Sequence, residues 1–234
     1  MSHFGLGLIS SNGVPGNDAF TKILLHMDGS NGGTTFTDVN AGGVSNTWSA
    51  LSDAVTTTAA AKFGPSSLNS GAGGFGISTS AKSALDPGTG DFTVDFWYNH
   101  NGQAGGLEKG ICCYGNSSAN PTQWAWSIDF ASDKVQYQLS NGSGQTFVSG
   151  AANINSGWHH VEMSRASGTV RGFVDGVLDV TFSWPGSLPA STGPLRVGRG
   201  ITTGNASILI DEFRYSVGIA RWTSNFTPPV AAYS

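Results

Sequence analysis

Gly157-Trp158-His159-His160-Val161-Glu162-Met163-Ser164-Arg165, then Val170-Arg171-Gly172-Phe173-Val174-Asp175-Gly176, then Ile210-Asp211-Glu212-Phe213-Arg214, decide the fold of this 234-residue chain. Each stretch alternates with a period of two, so each reads as a strand with one face buried. In Phe173-Val174-Asp175-Gly176-Val177-Leu178 two strands meet at Asp175-Gly176. That pair suits a type I′ turn, in which both central residues take positive φ.

Outward from this core, further strands are predicted at 21–28, 45–50, 61–69, 75–79, 91–98, 109–114, 123–130, 134–140, 145–148, 157–165, 168–175, 177–182, 194–199 and 206–215. Turn residues separate them at short intervals, as in a sandwich or barrel. Asn141-Gly142 reads as a second hairpin turn, and 217–223 as the one short helix. In 91–98, Phe92, Val94, Phe96 and Tyr98 share a face opposite Thr93, Asp95 and Trp97. In 124–130, Trp124, Trp126, Ile128 and Phe130 share a face opposite Ala125, Ser127 and Asp129. Large apolar residues at alternate positions line the space between two sheets. The Pro228-Pro229 tail cannot be a central strand and is expected to run extended over the surface.

Bulk composition narrows the function. Charged residues make up 11% of the chain, against roughly 25% in soluble proteins. The net charge is −4 and no Lys/Arg cluster occurs, which argues against nucleic acid and anionic membrane surfaces as partners. No apolar run approaches the ~18 residues of a membrane span. The N-terminus, Met1-Ser2-His3-Phe4-Gly5-Leu6-Gly7-Leu8-Ile9, lacks the charged and apolar regions of a secretory signal. The expectation is synthesis in a cytoplasm and release by lysis.

The ordered series of these motifs resembles the laminin G-like, concanavalin A-like jelly roll. The resemblance extends to Ile23-Leu24-Leu25-His26-Met27-Asp28-Gly29, Asp91-Phe92-Thr93-Val94-Asp95-Phe96-Trp97 and Gly218-Ile219-Ala220-Arg221-Trp222-Thr223-Ser224-Asn225-Phe226-Thr227-Pro228-Pro229. It implies an all-β, two-sheet antiparallel sandwich over 21–229, with a flexible arm at 1–20 and a short tail at 230–234. The variant with Leu-Leu-His-Met-Asp-Gly near its start is similar to modules on tailed-bacteriophage virions. That similarity implies a non-enzymatic head-decoration, fibre or tail protein on the virion surface. Its implied partners are other virion proteins, further copies of itself and host-surface polysaccharide. A lectin or tail-adhesin role is the alternative.

No catalytic constellation is visible. Gly71-Ala72-Gly73-Gly74-Phe75-Gly76 matches G-x-G-x-x-G, but a strand and not a helix follows, so it is not a phosphate loop. There is no G-x-S-x-G elbow. The Glu-x-Asp-x-x-Glu strand of glycosidases on this fold family is also absent, and Asp211 and Glu212, being consecutive, should point to opposite faces. His159 and His160 are given a packing role. The resemblance implies a calcium site at Asp28 and Asp211, joined by Asp38; alternatively Asp28 caps a turn and Asp211 satisfies backbone amides. Trp184 either offers an exposed ring for glycan stacking or packs onto a sheet edge. Adjacent Cys112 and Cys113 cannot readily bridge each other, so they are either reduced thiols on opposite faces or the source of an intersubunit disulfide. In the arm, Phe4, Leu6, Leu8 and Ile9 form an apolar cluster expected to pair with a neighbouring subunit.

Overall fold

A computed structural model describes residues 16–102, 109–115, 124–200 and 207–234. The arm residues Phe4, Leu6, Leu8 and Ile9 lie outside them. Fifteen strands run through the described residues: β1 (Thr21–Leu25), β2 (Ser49–Ala50), β3 (Val55–Thr57), β4 (Ser67–Asn69), β5 (Ile77–Thr79), β6 (Phe92–Asn99), β7 (Lys109–Gly115), β8 (Trp124–Ala131), β9 (Lys134–Ser140), β10 (Gln145–Asn153), β11 (Trp158–Ala166), β12 (Thr169–Val174), β13 (Val177–Ser183), β14 (Leu195–Val197) and β15 (Leu209–Val217). They form two antiparallel sheets. One runs β13-β12-β11-β6-β15-β4-β3 with β1 also on β15; the other runs β10-β9-β8-β7-β14-β5-β2.

Hairpin turns set the register of the central strands. Asp175 and Gly176 take φ of 50° and 76°, both positive as the type I′ reading requires. Ser132-Asp133 and Ser167-Gly168 repeat that pattern. Asn141-Gly142 instead belongs to a four-residue loop closed by Asn141 N–H on the Gly144 carbonyl. The Gly71–Gly76 stretch is a turn leading into β5, not into a helix.

Between the sheets, Phe92, Val94, Phe96 and Tyr98 of β6 face Trp126, Ile128 and Phe130 of β8, all buried. Burial of each such side chain contributes roughly 1.5–3 kcal/mol. The edge strands β10 and β13 alternate between buried or half-buried and exposed positions, whereas β6 and β15 are buried almost throughout. The first sheet is therefore covered on both faces: by the core on one side and by the C-terminal segment on the other.

That segment departs from expectation. No helix forms at 217–223; the helix among the described residues is a single 3-10 turn at Ser83–Leu85. Residues 218–232 form no strand, as the prolines require, but they do not merely trail over the surface. Tyr233 is 3% exposed and its O–H is hydrogen-bonded to Asp95. A bulge between Asp211 and Arg214, with Glu212 at φ 50°, overturns the expectation for Asp211 and Glu212. The extra residue breaks strict alternation, so Phe213 fills the core while neither carboxylate enters it.

Candidate functional site

After β1 the chain turns through Met27, at φ 59°, and returns so that Asp38 pairs with Leu25. Asp38 then ties this region together. Its Oδ1 accepts from Leu24 N, Asn40 N and Asn40 Nδ2 at 3.0, 3.1 and 2.9 Å. Its Oδ2 accepts from Asn46 Nδ2 at 2.8 Å and Trp48 Nε1 at 3.3 Å. Asn40 closes the intervening loop through both the N–H and the carbonyl of Val44. Asn46 Nδ2 also reaches the Lys22 carbonyl.

These bonds hold two walls, 34–38 and 46–48, around a groove of about 400 Å³. Buried Phe36 and Trp48 form its apolar floor, and Thr34, Thr35, Thr37 and Thr47 line its exposed rim. Among the described residues those four hydroxyls have no protein partner, and Asn46 Oδ1 is buried without one. A volume of this size, with an apolar floor and a few fixed polar groups, suits a small polar ligand. The groove holds no Ser, Cys or His beside a general base.

Thr37 also borders a second cavity, of about 190 Å³, with His26, Met27, Asp28 and Val39. His26 Nδ1 lies 2.7 Å from Glu212 Oε1, and that contact raises the histidine's pKa. Burial raises Asp28, opposed by His26 and helped by Glu212. Burial also pushes Asp211 up to about 7, against the Lys62 and Phe63 amides that donate to its Oδ2 at 2.7 and 3.1 Å.

The three carboxylates named for calcium do not converge into a ligand set. Asp38 already accepts five hydrogen bonds, and Asp211 accepts three amide N–H groups, the third being its neighbour Glu212. Among the described residues no cluster of three His, Cys, Asp or Glu side chains is arranged to hold a metal. For Asp211, satisfaction of backbone amides is what the geometry gives.

For Trp184 and the two cysteines the structure favours the packing alternative over the exposed one. Trp184 is half-buried against the core with its Nε1 buried, so its ring is not a free platform. Cys112 and Cys113 are both free and fully buried; burial pushes Cys113 up to about 12 despite nearby Arg196. Neither thiol is placed for an intersubunit disulfide. His160 packs edge-on against Trp97, Trp222 and Phe226, consistent with its packing role.

Sequence reasoning missed a second polar cluster on the outer face of the first sheet. Register places Asp95 opposite Glu162 on one side and Arg214 on the other. Arg214 Nε and Nη2 donate to Asp95 at 2.9 and 3.1 Å; burial acts to raise Asp95, but Arg214 and His160 together outweigh it and hold the carboxyl down to about 2. The available signal was the grouping of Thr93, Asp95 and Trp97 on the non-core face of a central strand. Such a face needs a cover.

A two-sheet antiparallel sandwich with a loop-built groove defines a jelly roll of the concanavalin A type. The chain belongs to the concanavalin A-like lectin/glucanases superfamily, whose family model matches residues 69–216. The comparison with curated proteins returned no match. Among solved structures, the binding domain of Paraclostridial Mosquitocidal Protein 1 aligns with a TM-score of 0.64 at 14% identity, covering 86% of this chain and 49% of that one. A botulinum neurotoxin type C structure, whose cell entry is described as dependent on two ganglioside molecules, aligns at 0.65 and 16%, covering 86% and 48%. The binding domain of botulinum neurotoxin DC in complex with rat synaptotagmin II aligns at 0.65 and 13%, covering 88% and 50%. At these identities the likeness is one of fold, and the chain spans about half the length of each.

Proposed function

We propose that the protein is a non-enzymatic adhesion module whose groove between 34–38 and 46–48 takes a neutral segment of a surface glycan. The observation that carries this reading is the set of four exposed threonines, Thr34, Thr35, Thr37 and Thr47, whose hydroxyls have no partner among the described residues, around the Phe36–Trp48 floor. Neutral hydroxyls, each both donor and acceptor, suit a sugar's alternating donors and acceptors. The low charge of the chain supports the same choice. Structural neighbours described with gangliosides or with synaptotagmin support carbohydrate or protein as the partner class.

The setting proposed for this module is the surface of a tailed-bacteriophage virion, as decoration, fibre or tail protein. The motif series from Leu24 to Pro229 supports it. An antibody to the protein should label intact particles in regular positions.

The binding reading is tested by titrating the protein with bacterial surface oligosaccharides and repeating with Thr35→Val and Thr47→Val. A saccharide ligand should lose about tenfold or more in affinity with each variant, since each good hydrogen bond to a ligand is worth roughly a decade. Unchanged affinity in both would move the site elsewhere. Release of reducing ends from any polysaccharide would overturn the non-enzymatic part.

A further inference from the structure

Residues 218–233 cross the outer face of the first sheet as a strap, attached without a strand ladder. Trp222 and Phe226 stack at 4.2 Å and press on His160. Ser164 Oγ donates to the Trp222 carbonyl, Thr93 Oγ1 to the Ile219 carbonyl, and Phe226 N–H to the Gly176 carbonyl. Gly176 takes positive φ, and a side chain there would overlap the Phe226 carbonyl, so the hairpin glycine also seats the strap. At the far end Tyr233 lies over Arg214, 3.7 Å from ring centroid to guanidinium; its N–H donates to Glu212 and its O–H to Asp95. Contacts of this kind open locally more readily than a paired strand.

Beneath the strap is Glu162, 0% exposed, with neither carboxyl oxygen hydrogen-bonded. From β6 it meets Asp95, already paired with Arg214 of β15. On β11 the same face carries His160 and Ser164, whose hydroxyl proton is taken by Trp222. β12 sets Phe173 opposite Glu162 and Arg171 one step along that face, and Tyr137 of β9 lies behind the sheet against Gly172. The strap contributes Arg221, held by Asp18, and Tyr233. No cation bonds the Glu162 carboxylate, and its register neighbour is an anion. We propose that the strap is a pH-sensitive clasp, closed while Glu162 carries a proton and released when that carboxyl ionises beside Asp95.

The linkage has a definite sign. Burial, then the charge of Asp95, raises Glu162 well above the ordinary carboxylate range against the opposing pull of Ser164, Arg214 and Arg221, so the closed state keeps a proton that the open state gives up. Closure therefore weakens as pH rises above the ordinary glutamate value, by up to about tenfold per pH unit for one proton. Asp95 has the opposite sign: its contribution is lost as pH falls from 3.8 toward about 2.

Hydrogen exchange of the full chain between pH 5 and 8, corrected for intrinsic exchange, tests this. Protection over 218–233 should fall by up to about tenfold per pH unit while β6 and β11 stay protected. Glu162→Gln should flatten that slope. Tyr233→Phe should lower strap protection at every pH and keep the slope. The part of the protonated-carboxyl infrared band that Glu162→Gln removes should fade in step with strap protection, which separates it from Asp211, itself pushed up to about 7. A wild-type slope in Glu162→Gln, strap protection independent of pH, or loss of strap and sheet protection together would overturn the proposal.

Discussion

The groove around Asp38 and the face around Glu162 are both built from carboxylates and aromatic rings, yet they treat the carboxylate in opposite ways. Asp38 accepts five hydrogen bonds, two of them from backbone amides and three from side chains. Glu162 accepts none. The difference lies in where each residue sits. A loop has unpaired N–H groups that can turn toward an anion. On a sheet the amides of regular strands are already engaged in the ladder, so a side chain on its face must find another side chain, find amides of a loop or bulge laid against it as Asp211 does, or stay neutral. Asp95 found Arg214; Glu162, one strand over, is left to hold a proton. Loop and sheet thus lead to different uses: a hydrogen-bonded scaffold for a groove in one place, and a buried acid under a removable cover in the other.

Breaking the ion pair should have the largest effect. Asp95→Ala leaves the Arg214 guanidinium, 1% exposed, without its counter-charge, and should cost about 3–5 kcal/mol in urea unfolding. A loss below about 1 kcal/mol would mean that the Tyr233 ring and the Gly16 carbonyl suffice for Arg214. Asp38→Ala should cost less, about 2 kcal/mol, because the donors it strands are only partly buried and water can reach some of them. It should also abolish binding in the groove, since the two walls lose their common acceptor. A variant that binds as well as the parent would show that the walls are held by packing alone. Smallest of all is the response to chelation. With Asp38 and Asp211 occupied by hydrogen bonds, removing divalent cations should shift the melting temperature by less than about 1 °C, whereas a bound ion at saturating concentration would give several degrees.

The fold was legible because period-two alternation and turn chemistry are local. Phe92, Val94, Phe96 and Tyr98 announce a core face, and Asp175-Gly176 announces a turn that the backbone adopts. Strand β3 was missed because Val55–Thr57 is too short to show a period. The helix expected at 217–223 failed because Trp222 and Arg221 are placed by the sheet beneath them, which overrides local preference. The groove was half legible. Asp38 was singled out as a metal ligand, but its five donors come from three segments whose meeting no spacing reveals.

The order of motifs from Ile23 to Pro229 by itself determined an all-β sandwich, its inward-facing residues and its principal hairpin, because each depends on neighbours a few residues apart. Tertiary structure alone decided which carboxylates meet. Asp95 and Glu162 are 67 residues apart in the chain and adjacent across a ladder. Their protonation depends on burial and on each other's charge, quantities that exist only once the sheet has formed and the C-terminal strap has closed over it.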